Sequence, residues 1–290
     1  MNETSDDDLE ESMDSFEAAF SARPIRLPEI APRPICLALD GSNQDPVARA
    51  LAGALAAQSE VEIHEVSPPA GGGPPFQKIL EECRAARCGL IVVPAPFHED
   101  FAELGAASIG TNLDLLLSRR ETPLLVVRDP ARDADASLRE VVLPLSFVAH
   151  DDARAAAWAF HVLAPRGRLH LLAITDPETL ARDHPAIADA IELDEIDESA
   201  LSGLGQPDMA GLVGTVQRHA AEKDLGCRIS IRMGDAVETV TEFANALDDC
   251  VLVTDCPRDE KAPAYSRAHA LIRQSRHPVL VSGKSAEGGD

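Results

Sequence analysis

Short apolar runs alternate with longer amphipathic stretches along most of this chain, which predicts strands that alternate with helices. Two stretches, residues 83–129 and 243–282, share one order of elements: an apolar helix, a buried strand, a polar linker, a second helix and a strand led by proline. The buried strands lie at residues 90–93 and 251–253, and the proline-led strands begin at Pro123 and Pro278. This repetition predicts that one structural unit occurs twice.

The start of each unit predicts a parallel sheet. In the first unit, the apolar run 35–39 precedes a helix with Asp45 as its cap and Pro46 at its first position. The alternating run 61–66 then predicts a second strand. A strand, a helix and a strand of this length form a βαβ unit, so we expect parallel strands joined by right-handed crossovers.

The second unit opens in the same way at residues 141–145 but is longer than the first. Its extra length holds an acidic segment at 192–198, a helix near 213–223 and a further strand at 227–231. The first unit therefore lacks one helix and one strand that the second has. The chain of 290 residues also suggests two domains at roughly 150 residues each, with a core in each.

The domain boundaries follow from these patterns. We expect an acidic N-terminal arm and linker at 1–33, a shortened first domain at 34–130 and a second domain at 139–284. The arm is interpreted as a disordered or loosely docked tail, or as an amphipathic helix that covers a groove on a partner or on the chain itself. Four prolines mark the linker that follows it.

Charge and apolar content exclude several classes of partner. The net charge of -23 argues against nucleic acid, because phosphate contacts require clustered lysine and arginine. No apolar run reaches the roughly 20 residues needed to cross a bilayer. The first residues lack the basic and apolar regions of an export signal, so we expect a cytoplasmic protein.

The six cysteines are predicted to be reduced core residues. They lie inside or beside apolar runs, and none forms a C-x-x-C pair with a second pair or with a histidine partner. We therefore predict no metal site. The positions are Cys36, Cys83, Cys88, Cys227, Cys250 and Cys256.

The motifs of the first half resemble the universal stress protein family. The resemblance is carried by Asp40-Gly41-Ser42 after the first strand, by residues 89–93, and by Gly110-Thr111 one helix before the strand at 123–127. The second half is similar to a full-length but more diverged copy, so the resemblance covers nearly everything after residue 33. It implies an α/β fold of two tandem parallel-sheet domains, Rossmann-like and of the adenine nucleotide alpha hydrolase-like type.

The resemblance also implies a nucleotide site, which each half matches only in part. In that family an aspartate ends strand one, and a G-x-x-G loop followed by G-[S/T] surrounds the phosphates. In the first half Asp40, Gly110 and Thr111 fit, and they are the candidate residues for binding ATP or AMP. The leading glycines are missing, because residues 94–104 contain none and instead carry the acids Glu99, Asp100 and Glu103, which repel phosphate.

The second half matches this pattern less well. Ser146 stands where Asp40 stands in the first half, and Tyr265-Ser266 replaces Gly110-Thr111. Its loop could meet an anion only through Arg258, Lys261 or Arg267. We expect nucleotide binding to be largely lost there.

No pattern in the sequence supports catalysis. Ser42, Ser146 and Ser266 have no G-x-S-x-G context, so a serine nucleophile is not indicated. The run His150-Asp151-Asp152 is interpreted as a helix-capping loop rather than an acid/base or metal group.

The sequence thus predicts a cytoplasmic, tandem universal stress protein that acts in stress response by binding an unidentified protein partner, without turnover. Its two domains would form an internal pseudo-dimer through residues 123–128 and 278–282, and a further homodimer is left open. The alternatives are an ATP or AMP sensor using the first domain and, least favoured, a nucleotide or ester hydrolase. A single undivided sheet, or a triphosphate seated in both halves, would contradict the duplication.

Overall fold

The computed structural model describes residues 25–67, 75–99, 108–119, 122–146, 149–175, 207–255 and 267–283. Several sequence predictions fall outside these ranges. They concern the arm before residue 25, the acidic segment 192–198, Asp100 and Glu103 in the first half, and Cys256, Arg258, Lys261, Tyr265 and Ser266 in the second.

Strands and helices alternate along the described residues, as the sequence pattern predicts. The strands are β1 (Ile35–Ala38), β2 (Ile63–Val66), β3 (Leu90–Pro94), β4 (Leu124–Val127), β5 (Glu140–Pro144), β6 (Arg168–Thr175), β7 (Gly226–Met233), β8 (Val251–Thr254) and β9 (Val279–Val281). The helices are α1 (Asp45–Ser59), α2 (Pro75–Ala85), α3 (Thr111–Arg119), α4 (Ala134–Ser137), α5 (Ala149–Val162), α6 (Pro207–Glu222), α7 (Ala236–Asn245) and α8 (Arg267–Gln274).

These nine strands form one sheet in the order β2-β1-β3-β4-β9-β8-β5-β6-β7. All neighbours are parallel except β4 and β9, which pair antiparallel with Leu125 opposite Leu280. The α/β fold class and the parallel βαβ start of the chain are confirmed. The predicted contact between residues 123–128 and 278–282 is also confirmed, because β4 and β9 lie in these two segments.

Hydrogen bonding across the sheet is unbroken, which is the outcome that the sequence analysis set against a duplication. The continuity arises from one antiparallel pair between two blocks of parallel strands. Two duplicated units that join edge to edge also form one continuous sheet, and the β4–β9 pair is such a join. The duplication and the domain boundaries stay predictions.

Two apolar layers cover the faces of the sheet, because successive strand residues point to opposite sides. In β1, Ile35 and Leu37 belong to one layer, whereas Cys36 and Ala38 belong to the other. Each layer contains buried residues from both halves of the chain. Chain length predicts a separate core for each half, but the continuous sheet joins them into shared layers.

The start of α1 differs in one detail from the prediction. Gln44, not Asp45, occupies the cap position, and Pro46 lies in the first turn, where its missing N–H has no helical partner to lose. The Asp45 carboxylate points back and accepts hydrogen bonds from the backbone N–H groups of Gly41 (2.8 Å) and Asp40 (3.3 Å). This aspartate therefore fixes the turn after β1.

Among the described helices, none has the length and apolar content needed to cross a membrane.

The antiparallel junction can be tested at Leu280, which is fully buried and faces Leu125. We expect Leu280→Ala to lower the free energy of unfolding by about 2–5 kcal/mol, because truncation leaves a cavity in a layer shared by both halves. Unfolding in urea should remain one transition, with circular dichroism and the fluorescence of the single tryptophan, Trp158, changing together.

Met233→Ala is the control, because Met233 is 45% exposed on the edge strand β7. Its effect should stay within about 0.5 kcal/mol. Two separate transitions, or a Leu280→Ala effect as small as that of the control, would contradict the shared core.

Candidate functional site

The first candidate site lies where β1 and β3 end. The strand order β2-β1-β3 places β2 on one side of β1 and β3 on the other, which makes a topological switch point between β1 and β3. Ligands of open α/β sheets bind in the crevice at the carboxyl ends of strands at such a point. Asp40 follows β1, and the loop of residues 95–99 follows β3.

Asp40 joins these two loops. One carboxylate oxygen accepts from Ser42 N–H (3.0 Å) in its own turn, and the other accepts from His98 N–H (2.8 Å) in the loop after β3. His98 adopts a positive φ of 57°, so this loop has a left-handed residue at the point of contact. Both oxygens of Asp40 are therefore engaged by the backbone of the chain itself.

Two amides hold the surrounding backbone. The Gln44 side chain donates to the carbonyl oxygens of Ala95 (3.3 Å) and Arg128 (3.2 Å), which tie the start of α1 to the ends of β3 and β4. The Asn112 side chain in α3 donates to Phe97 O (3.1 Å), and the Phe97 ring is buried beneath. The carbonyl groups of Ala95, Phe97 and Arg128 next to the site therefore already accept hydrogen bonds from side-chain amides.

The N-terminus of α3 is where a phosphate would be expected to bind, and Glu99 lies there. Thr111 N–H donates to both carboxylate oxygens of Glu99, at 3.0 and 2.9 Å. Gly110 has a φ of +99°, and a Cβ at this position would stand 2.7 Å from Glu99 Oε2. Glycine therefore permits both the backbone turn and the close approach of this carboxylate.

The electrostatic consequence follows from the helix dipole. The N-terminus of a helix carries partial positive charge and unpaired N–H groups, and so attracts an anion. Here the anion is the chain's own Glu99. A phosphate at the same place would have to displace this carboxylate or lie beside it, and like charges at that distance repel.

The second candidate site lies at the equivalent ends of β5 and β8. Ser146, which follows β5, donates through its N–H and its hydroxyl to the Asp152 carboxylate, at 2.8 and 2.7 Å to Oδ1 and at 3.0 Å from the N–H to Oδ2. Asp152 is fully buried in the first turn of α5. The sequence pattern predicts a helix-capping loop here and does not indicate that Asp152 is buried. The His150 side chain lies outside the described residues.

Asp255, directly after β8, is buried and pairs with Arg267 of α8 at 2.8 Å. A second nitrogen of Arg267 donates to Leu145 O (3.2 Å). The other Asp255 oxygen, Oδ2, has no hydrogen-bond partner within the described part of the chain. The sequence predicts Arg267 as a contact for an external anion, whereas in the structure its guanidinium donates to the Asp255 carboxylate and to Leu145 O.

Burial raises the pKa of Asp152 to about 6, and the nearby negative charge of Asp255 acts in the same direction. The hydrogen bonds from Ser146 and the charge of Arg267 oppose the increase. The described residues of this site therefore include two buried acids and one arginine. They form a poor receptor for phosphate, because the charge of Arg267 is already neutralised by Asp255.

The sequence-predicted residues meet in part. Asp40 and Thr111 are brought to the same loop, since His98 contacts Asp40 and the adjacent Glu99 contacts Thr111. Gly110 packs against Glu99. Whether these residues bind a nucleotide stays a prediction. Among the described residues, no group of three or more His, Cys, Asp or Glu side chains is arranged to hold a metal ion.

The titration of Asp152 predicts a pH effect on stability. Its pKa is higher in the folded chain (about 6) than its ordinary value of 3.8, so the folded state holds this proton more tightly than the unfolded state. The stabilisation is complete below pH 3.8 and is lost as the pH rises through 6. Asp152→Asn removes the ionisation but keeps an oxygen that can accept from Ser146.

Denaturation of both proteins between pH 4 and 7 measures this effect. We expect the wild-type chain to lose about 1–3 kcal/mol relative to Asp152→Asn as the pH rises across this interval. A stability difference that does not change with pH, or that moves in favour of the wild type at pH 7, would contradict a buried acid that resists ionisation.

Known structures share this fold, although no family model and no curated protein matches the chain. A universal stress protein from Archaeoglobus fulgidus DSM 4304 superposes with a TM-score of 0.59 at 11% identity, covering 89% of this chain and 99% of that one. A functionally unknown protein from Pseudomonas aeruginosa PAO1 superposes with a TM-score of 0.50 at 17% identity, covering 86% of this chain and 80% of that one. The resemblance found in the sequence is confirmed in the fold, and this chain has the α/β fold of the universal stress proteins.

Proposed function

We propose that this chain is a tandem of two universal-stress-type domains that acts in stress response by binding, without turnover, and has largely lost nucleotide binding. The tandem is supported by the strand orders. Read outward from the junction, the first half runs β4-β3-β1-β2 and the second runs β9-β8-β5-β6, with β7 added at the edge. The strands that occupy matching positions also come in the same order along the chain.

The observation that carries the loss of nucleotide binding is the contact between Glu99 and the N-terminus of α3. Both carboxylate oxygens of Glu99 accept a hydrogen bond from the Thr111 N–H, which a bound phosphate would need as a donor. A mobile ligand must compete with a group that is covalently part of the loop and has a high effective concentration there. Nucleotide binding would also bring more negative charge to a chain of net charge -23.

The second half supports the same conclusion by a different route. At the ends of β5 and β8, Asp152 and Asp255 are buried and the arginine beside them is paired. No uncommitted cation faces that crevice among the described residues that form it. A triphosphate there would meet two acids in a region of low polarity.

A second candidate function is an ATP or AMP sensor that uses the first domain. It is favoured by Gly110, which keeps the positive φ that a phosphate-binding turn requires, and by Asp40, which stands at the end of β1. The third candidate, a nucleotide or ester hydrolase, requires a carboxylate or histidine near Thr111, and Glu99 lies there. It has less support, because both Glu99 oxygens accept from the Thr111 backbone N–H and no nucleophile is assigned.

The partner is proposed to be a protein rather than nucleic acid, because the chain is strongly acidic. The acidic arm at 1–33 and the acidic segment at 192–198 are the proposed contact regions. The two domains act as an internal pseudo-dimer, and association into a homodimer is compatible with this proposal. A cytoplasmic location is proposed from the sequence.

Native mass spectrometry of the freshly purified chain tests the proposal directly. We expect the mass of the polypeptide without nucleotide, and no change in melting temperature at millimolar ATP. A retained nucleotide, or a thermal shift with ATP that Asp40→Ala abolishes, would contradict the proposed loss and favour the sensor.

The role of Glu99 can be separated with one further variant. Glu99→Ala frees Thr111 N–H and removes the opposing charge, so ATP should raise its melting temperature by about 1–3 °C, whereas the wild type should not respond. Glu62→Gln is the control, because it removes an equal charge at an exposed position. Glu62 lies just before the amino end of β2, whereas the crevice lies at the carboxyl ends of the strands. An equal response of both variants would show that net charge, and not Glu99, excludes the nucleotide.

A further inference from the structure

Three cysteines, two of them close in sequence and one distant, lie in the same apolar layer in the first half of the sheet. Cys36 lies in β1, Cys83 in the last turn of α2 and Cys88 just before β3. All three side chains belong to one cluster of buried residues, and each thiol shifts the pKa of the other two. Cys36 is 0% exposed, Cys83 2% and Cys88 6%, so a reagent from solvent reaches the cluster most readily from the side of Cys88.

The end of α2 explains why Cys83 and Cys88 are neighbours. Cys88 N–H donates to Cys83 O (2.9 Å), Arg87 N–H donates to Arg84 O (3.1 Å), and Arg87 has a positive φ of 52°. These are the hydrogen bonds of a Schellman motif, in which the residues at C3 and C″ commonly make an apolar contact. Those two positions are occupied here by cysteines. The backbone therefore places the two cysteines at adjacent positions.

The surroundings of Cys83 favour its thiolate. The hydrogen bond from Cys36 lowers the pKa of Cys83 to about 7, assisted by Thr122, Cys88 and the charge of Arg84, whereas burial opposes the decrease. Cys83 Sγ lies 3.7 Å from Thr122 Oγ1. Hydrogen bonding to Cys83 and Cys88 raises the pKa of Cys36, so Cys36 remains a protonated donor. The hydrogen bond from Cys36 also lowers the pKa of Cys88.

The other described cysteines differ in this respect. Burial alone raises the pKa of Cys227 to about 11, and burial is the main cause that raises the pKa of Cys250 to about 12. The thiolate is the reactive form of cysteine. Reactivity is therefore expected in the cluster and not at these two positions.

We infer that Cys83 and Cys88 form a peroxide-responsive thiol pair, in which a hydroperoxide oxidises Cys83 and Cys88 then closes a reversible disulfide. The pair is a modification site separate from the nucleotide-type crevice. It does not depend on the function proposed above, because neither Asp40 nor Glu99 takes part in it.

The chemistry balances with hydrogen peroxide as the oxidant. The Cys83 thiolate attacks one peroxide oxygen, an S–O bond forms, the O–O bond breaks, and the departing hydroxide takes up the proton that Cys83 had released. The Cys88 sulfur then attacks the sulfenic sulfur, an S–S bond forms, the S–O bond breaks, and hydroxide leaves with the proton of Cys88 as a second water. Two thiols lose two electrons in total, and one peroxide becomes two waters.

The pairing can be determined by tryptic mapping, because each thiol of the cluster falls on a different peptide. Cleavage at arginine and lysine gives residues 27–49 with Cys36, 79–84 with Cys83 and 88–119 with Cys88, since the Arg33-Pro34 bond resists trypsin. The full chain carrying Cys256→Ser, which leaves only described thiols, is treated with hydrogen peroxide, quenched in acid, alkylated and digested.

The expected product is the peptide 79–84 linked to 88–119, which dithiothreitol separates again. Cys83→Ser and Cys83→Ala should each slow the loss of free thiols by at least about tenfold. Cys250→Ser is the matched control, because Cys250 is equally buried but lies outside the cluster, and its oxidation rate should equal that of the parent.

Three outcomes would overturn the inference: a disulfide that joins Cys36 to either neighbour instead, oxidation of Cys83 to the sulfinic acid without any disulfide, or reaction at Cys227 or Cys250 as fast as at Cys83. Each is visible in the digest of the Cys256→Ser parent, so the conclusion does not depend on whether the cluster variants fold.

Discussion

The pairing of β4 with β9 is the contact on which the rest of this structure depends. Only three residue pairs form it, and all six side chains are buried. Without it, each half would end in an edge strand made almost wholly of leucine and valine, and exposed edges of that kind pair with other chains. Because β4 and β9 pair with each other, neither strand remains an exposed edge, and the apolar layers on both faces of the sheet are continuous. The stability of either half is therefore linked to the other.

Both switch points are occupied by carboxylates of the chain itself, although the arrangements differ. In the first half Glu99 takes the N–H at the start of α3, and Asp40 is held by two backbone donors. In the second half Asp152 accepts hydrogen bonds from the N–H and the hydroxyl of Ser146, and Asp255 forms an ion pair with Arg267. A fold of this type places a crevice at these points, and the side chains that line it decide what enters. Here the acids satisfy the local donors before any ligand arrives.

Local patterns in the sequence predicted most of the fold. The apolar runs at 90–93 and 251–253 coincide with β3 and β8, and the strands led by Pro123 and Pro278 are the two that pair. The positions of Asp40 and Thr111 were also predictable, because each follows or begins an element with a clear pattern. Continuity of the sheet was harder to predict, since it depends on how two distant edges meet.

The contacts of the candidate sites were less predictable, because they join residues far apart in the chain. Gln44 donates to carbonyl groups after β3 and β4, and nothing in the local sequence distinguishes it from a surface glutamine. Asp152 resembled a helix cap, whereas its burial depends on the packing of α5 against the sheet. The acids in residues 94–104 did indicate that a carboxylate would lie at the phosphate position, and among the described residues Glu99 accepts from the Thr111 N–H there.

The antiparallel junction also fixes where the two crevices lie. Strand direction reverses between β4 and β9, so β1 and β3 end at one rim of the sheet whereas β5 and β8 end at the opposite rim. A five-residue strand such as β3 is about 16 Å long at roughly 3.3 Å per residue, so the rims are separated by at least this distance. A small ligand bound in one crevice therefore leaves the other open, and a partner that contacts both crevices has to reach across the full length of the strands.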